Sequence, residues 1–110
     1  MSFIRKKVSA YPWPVEVRKP SEEVAGEFEI HKFIVKFKRL SKKALNEFTE
    51  KEDLEALQKI VAGWSDIKDE EGKDIVFSPK ALREMADDID FVNGVVAAFT
   101  KFYANADEKN

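Results

Sequence analysis

Five carboxylates crowd one short stretch of the chain: Asp66, Asp69, Glu70, Glu71 and Asp74. Acids so close together raise the question of a cation site. A calcium loop of the EF-hand kind needs oxygen ligands at alternate positions, glycine at the sixth and glutamate at the twelfth. Counted from Asp66, the third position is Lys68 and the sixth is Glu71, so the register fails and a solvated turn is expected. Asp87, Asp88 and Asp90 form a second acidic group. Hydrolysis by paired carboxylates needs a cleft that drives their pKa values apart, and nothing in the sequence places this group in one; helix capping is its expected role. His31 is the single histidine, it lies in a strand-like segment without an identifiable acid partner, and the chain has no cysteine. Thiolate chemistry, disulfides and the usual multi-histidine zinc sites are therefore excluded. No phosphate-binding glycine loop and no nucleophile elbow occurs. No catalytic residue, metal ligand or cofactor site is expected, and the chain reads as a non-enzyme.

A basic series is the other candidate: Lys32, Lys36, Lys38, Arg39, Lys42 and Lys43, interleaved with Phe33 and Phe37. Cations beside aromatics bind single-stranded nucleic acid in some folds. Here the alternation instead expects aromatics facing a core and lysines facing water, as on a protected edge strand. The same cations offer a charged surface for self-association. Residues 1–43 hold 11 Lys/Arg and 5 Asp/Glu, whereas residues 44–110 hold 8 and 16, so the two halves are complementary. Head-to-tail association into open arrays is one expectation from that asymmetry.

These residues must be positioned by few elements, since 110 residues suit a single domain. Residues 1–13 read as a loose arm. Residues 14–40 read as an antiparallel β-hairpin, with Val15 to Arg18 and Glu27 to Leu40 alternating apolar and polar. The second strand changes phase: Phe28 and Ile30 occupy even positions, Phe33, Val35 and Phe37 odd ones. A bulge near His31-Lys32 would return both sets to one face.

Residues 41–104 read as helical, giving an α+β fold of one hairpin followed by about four short helices. Ser41 caps the first, with Ala44, Leu45 and Phe48 inward. Thr49 to Glu52 matches a capping box, opening a helix with Leu54, Leu57, Ile60 and Val61 on one face. Gly63 is the expected left-handed stop, and Trp64 folds back on the core. Gly72 is expected at positive φ in the acidic turn. Ser78-Pro79 has the form of an N-cap followed by proline in the first turn. The last helix is apolar over more than one face, through Phe91, Val92, Val95, Val96, Phe99, Phe102 and Tyr103. Gly94 inside it is expected to allow close approach of another element. Residues 105–110 read as a frayed tail. No apolar run is long enough for a membrane span, and a soluble, intracellular protein is expected.

The order of hairpin, capped helix, Gly63-Trp64, glycine-containing acidic turn, Phe77-Ser78 and aromatic last helix resembles the tail assembly chaperones of long-tailed phages and prophages. The residues carrying the likeness are Phe28, Lys36-Phe37-Lys38-Arg39-Leu40, Val61, Gly63, Trp64, Gly72, Phe77, Ser78, Leu82, Phe91, Val92 and Tyr103. The likeness spans roughly residues 15–104. It implies a non-catalytic chaperone of the bacterial host cytoplasm that coats the tape measure protein and recruits the major tail tube protein. Members often occur also as a longer, frameshifted form. Glu108-Lys109-Asn110 is compatible with the codons GAA-AAA-AAC, which contain a slippery heptamer. On this footing Trp64, Phe91, Val95, Phe99, Phe102 and Tyr103 are expected to form or support the surface that meets the tape measure helix. The alternatives are a minor tail or connector structural protein and a small nucleic-acid-binding module using the basic hairpin.

Overall fold

Proline placement and alternation set the first two elements. In the computed structural model, which describes residues 10–48 and 53–108, strands β1 (Tyr11–Pro20) and β2 (Phe28–Phe37) pair antiparallel without interruption, from Tyr11 opposite Phe37 to Pro20 opposite Phe28. The strand thus begins inside the segment expected as a loose arm, whose residues 1–9 lie outside the described part. Pro12, Pro14 and Pro20 all fall on even positions of β1, an edge strand. Alternate backbone amides of an edge strand point away from its neighbour, and proline is tolerated there because no ladder donor is lost.

No bulge interrupts β2 at His31-Lys32; the phase change has another cause. Val15, Val17, Phe33, Val35 and Phe37, all odd-numbered, are buried in the core, whereas Phe28 and Ile30 are each 56% exposed on the opposite face. Both faces of the sheet carry apolar side chains, and among the described residues only one is covered.

After the hairpin come α1 (Lys42–Phe48) and α2 (Asp53–Ile60). The Ser41 hydroxyl accepts from the Ala44 amide at 3.1 Å, as its capping role expects. The expected capping box, Thr49 to Glu52, lies outside the described residues. Leu57 and Ile60 are fully buried. Gly63 does not end this helix. The chain leaves α2 at Ile60 and enters a third strand, β3 (Val61–Ser65), which pairs antiparallel with β2 in the order β1-β2-β3. The expected arrangement of one hairpin followed only by short helices is corrected by this strand and by the length of the last helix.

The bulge is in β3. Phe37 opposes Val61 and Lys36 opposes Gly63, so Ala62 is extra. Paired residues share a face, and one inserted residue inverts the alternation. Val61 and Trp64, three apart, therefore both turn toward the core.

Residues 66–77 return as a tight loop. Asp69 accepts from the Glu71 and Lys73 amides at 2.9 and 3.0 Å, and Gly72 has φ +82°, as expected. Helix α3 (Pro79–Met85) starts with Ser78 accepting from the Ala81 amide at 3.0 Å. Helix α4 (Ile89–Glu108) is 20 residues long and continues through residues 105–108, part of the expected frayed tail. It crosses the covered face of β1 with Gly94 at the closest point. The result is a small α+β domain with one core, built from the odd face of the sheet and helices α2, α3 and α4.

Candidate functional site

The aromatic face of α4 is brought together as core. Phe91, Val95, Phe99 and Phe102 are 0–6% exposed. Phe33 stacks on Phe91 at 5.7 Å between ring centres, and Phe37 meets Phe99 edge-on at 5.3 Å. Trp64 is half-buried; its indole N–H donates to the Ile75 carbonyl at 2.7 Å and its ring meets Phe77 at 4.9 Å. Buried indoles need such a partner. The Tyr103 hydroxyl donates to the Leu40 carbonyl at 2.8 Å and accepts from the Leu40 amide. Four of the six residues, Phe91, Val95, Phe99 and Phe102, are therefore interior, and Trp64 and Tyr103 are half-buried at its margin. Their apolar excess was legible, but its cover is the sheet.

The basic series is dispersed. Lys32 and Lys36 are exposed on the outer face of the sheet, Lys32 at 3.6 Å from Glu16. Lys38 donates to the Gln58 carbonyl at 3.2 Å. Arg39 lies over the Tyr103 ring at 5.2 Å, a cation–π contact that fastens the hairpin exit to α4. Lys42 and Lys43 belong to α1. These cations do not share one strand face.

The outer sheet face is the feature that sequence periodicity did not single out. Phe28 and Ile30 stand exposed with Ile34 half-buried beside them, and Arg18 lies over the Phe28 ring at 5.2 Å. The signal was present in the phase change of β2. Pro12, Pro14 and Pro20 add apolar surface along the neighbouring strand, all exposed.

Around the edge of β2 from this face is a groove of about 680 Å³. Its floor is apolar, formed by Val17, Phe33, Ile67, Ile75, Met85 and Phe91. One bank is β2 from Ile30 to Phe33, and the other is the loop from Asp66 to Glu70. At one end Lys19 pairs with Asp88 at 2.5 Å. That hydrogen bond raises the Lys19 pKa above its ordinary value. Burial pushes Asp88 up, but Lys19 and the Phe91 and Asp90 amides outweigh it and hold the carboxyl below the usual range. Asp88 is the N-terminal cap of α4, as its position expects.

His31 lies 3.5 Å from Glu29, and both side chains are more than half exposed. Of the acids of the turn, Asp69 accepts from the local backbone, Asp74 pairs with Lys68 and Glu71 with Lys73. Among the described residues no group of three metal-ligating side chains converges, and no helix is long and apolar enough to cross a membrane. No family model, curated protein or solved structure matches the chain.

Proposed function

We propose that the protein is a non-catalytic phage tail assembly chaperone, holding the tape measure protein in the bacterial cytoplasm before the tail tube polymerises. The residues that resemble that family suggest it, and one structural observation supports it: the outer sheet face presents Phe28 and Ile30, each 56% exposed, with no element covering them among the described residues. Contiguous apolar surface rimmed by charge is characteristic of protein-binding faces. Arg18, Lys32 and Lys36 provide that rim. A long rod with an apolar stripe would lie across several such faces, and modest affinity per copy would be multiplied by avidity. Self-association of the chaperone and recruitment of the major tail tube protein belong to the same proposal. Helix α4 and Trp64 act from beneath, holding the sheet rigid.

Co-expression with a tape measure protein tests this. The wild-type protein is expected to co-purify with it, and the double variant Phe28→Ser, Ile30→Ser to lose it while keeping its circular dichroism spectrum. Undiminished co-purification by that variant overturns the assignment of the face. Abundant copies of the protein in purified virions overturn the chaperone role in favour of a structural tail or connector component.

A further inference from the structure

We infer that the free edge of β2 is a strand-addition site. It takes an extended segment of a partner protein, apolar at alternate positions and carrying lysine or arginine at the end beside the 66–70 loop.

The register shows where the edge is open. Strand β1 pairs with all ten residues of β2, but β3 pairs only with Ile34 to Phe37. Among the described residues, Phe28 to Phe33 therefore have a neighbour on one side only. Parity shows which groups are free there. Pro14 opposes Ile34 and has no N–H, so this pair cannot exchange hydrogen bonds across the ladder. Even-numbered residues of β2 accordingly turn their backbone groups away from β1. At Ile34 and Lys36 those groups face β3. At Ile30 and Lys32 they face the groove, where no hydrogen bond meets them among the described residues.

The sheet's other long edge is guarded. Pro12, Pro14 and Pro20 remove outward donors from β1, a usual defence against unwanted pairing. The open stretch of β2 has no proline. Asp66, with φ +66°, turns the chain away just where β3 would otherwise continue along β2. An incoming strand would take up that vacated line. Six residues of edge span about 20 Å. On the core side, alternate side chains of the incoming strand would reach the floor of Phe33, Ile67 and Phe91. Backbone bonds would supply affinity and the floor would select apolar residues, as in other strand-addition complexes.

Charge selects one end of the ligand. Among the described residues neither Asp66 nor Glu70 holds an ion pair, while Lys68 is held by Asp74, Lys19 by Asp88 and Lys32 by Glu16. A cation on the partner would meet that bank. The site uses the backbone edge at Ile30 and Lys32, whereas the proposed tape measure contact uses the outward side chains of Phe28 and Ile30, so Lys32→Pro and the pair Phe28→Ser, Ile30→Ser distinguish the failure of one from that of the other.

The test uses the full chain, isotope-labelled, and a blocked synthetic peptide of alternating valine and threonine ending in lysine. The Ile30 and Lys32 amides are expected to exchange freely in the protein alone and to slow by about tenfold or more at saturating peptide. Lys32→Ala keeps the amide and is expected to bind within about threefold of wild type; Lys32→Pro removes it and is expected to weaken binding about tenfold or more. The pair Asp66→Asn, Glu70→Gln, which leaves the strand untouched, is expected to weaken binding several-fold at low salt and little at high salt. Three results overturn the proposal: no protection of Ile30 and Lys32 by the peptide, equal binding by a folded Lys32→Pro, or protection of both amides without peptide in a concentration-dependent dimer. The last would make a second copy of this chain the occupant.

Discussion

Gly94 of α4 sits directly against Glu16 of β1: a Cβ at Gly94 would stand 2.8 Å from the Glu16 carbonyl oxygen and 2.8 Å from a Val17 methyl. The neighbour is backbone, which cannot rotate away. Helix and strand approach this closely only because position 94 lacks a side chain.

Gly94→Ala is therefore expected to destabilise the protein although alanine is the better helix former. The helical gain is about 1 kcal/mol, and forced overpacking costs about 1–3 kcal/mol. Urea denaturation should show a lower midpoint. A rise in stability would mean that α4 does not cross β1 at this residue.

Two other glycines separate a strand position from a turn position. At Gly63 an added Cβ would meet only the Lys36 side chain, at an ordinary 3.8 Å. Gly63 is buried in β3 with room for a methyl and no positive φ, so Gly63→Ala is expected to raise stability by about 0.4–1 kcal/mol. At Gly72, with φ +82°, the added methyl meets nothing but strains the backbone; Gly72→Ala is expected to cost about 1 kcal/mol. The reverse order in thermal unfolding would restore a helix stop at Gly63.

The Lys19–Asp88 pair predicts a plateau in stability across neutral pH. Asp88 has a lowered pKa in the folded chain, so its contribution is full above the unfolded value, about 3.9, and is lost as pH falls through the folded one. Lys19 has a raised pKa, so its contribution is full below the unfolded value, about 10.4, and is lost as pH rises through the folded one. Both side chains are about a third or more exposed, which keeps the ion-pair part small. Asp88→Ala should cost about 1 kcal/mol near pH 7, mainly through the lost cap. Asp88→Asn should keep much of the cap and flatten the acid limb, measured by denaturation between pH 2 and pH 7.

Tyr103→Phe removes the one side-chain hydroxyl that bonds both backbone groups of Leu40. A loss of about 1–2 kcal/mol is expected, because the partly buried amide and carbonyl of Leu40 lose their partner. Faster exchange of the Leu40 amide should accompany it. Unchanged exchange would place that latch elsewhere.

Local chemistry was readable before the fold was known. Ser78-Pro79, Gly72 and the alternation of β1 and β2 act through their own backbone or nearest neighbours. The third strand was hidden because Val61 continues the helical spacing of Leu54, Leu57 and Ile60. Whether residues 61–65 wind or extend is decided by pairing with residues 34–37, distant in sequence. The same distance conceals the bulge, since Val61 and Trp64 share a face only in relation to β2. The phase change at Phe28 and Ile30 was visible, but its meaning depended on the even face, which no element covers among the described residues. The aromatic richness of α4 was equally plain, and burial depended on Phe33 and Phe37 meeting it.

The three prolines of β1 give the sheet a polarity. Pro12, Pro14 and Pro20 take outward donors from the β1 edge, whereas the open stretch of β2 keeps all of its own. An incoming strand is therefore better received at β2 than at β1, and this inequality works against repeated strand pairing between copies.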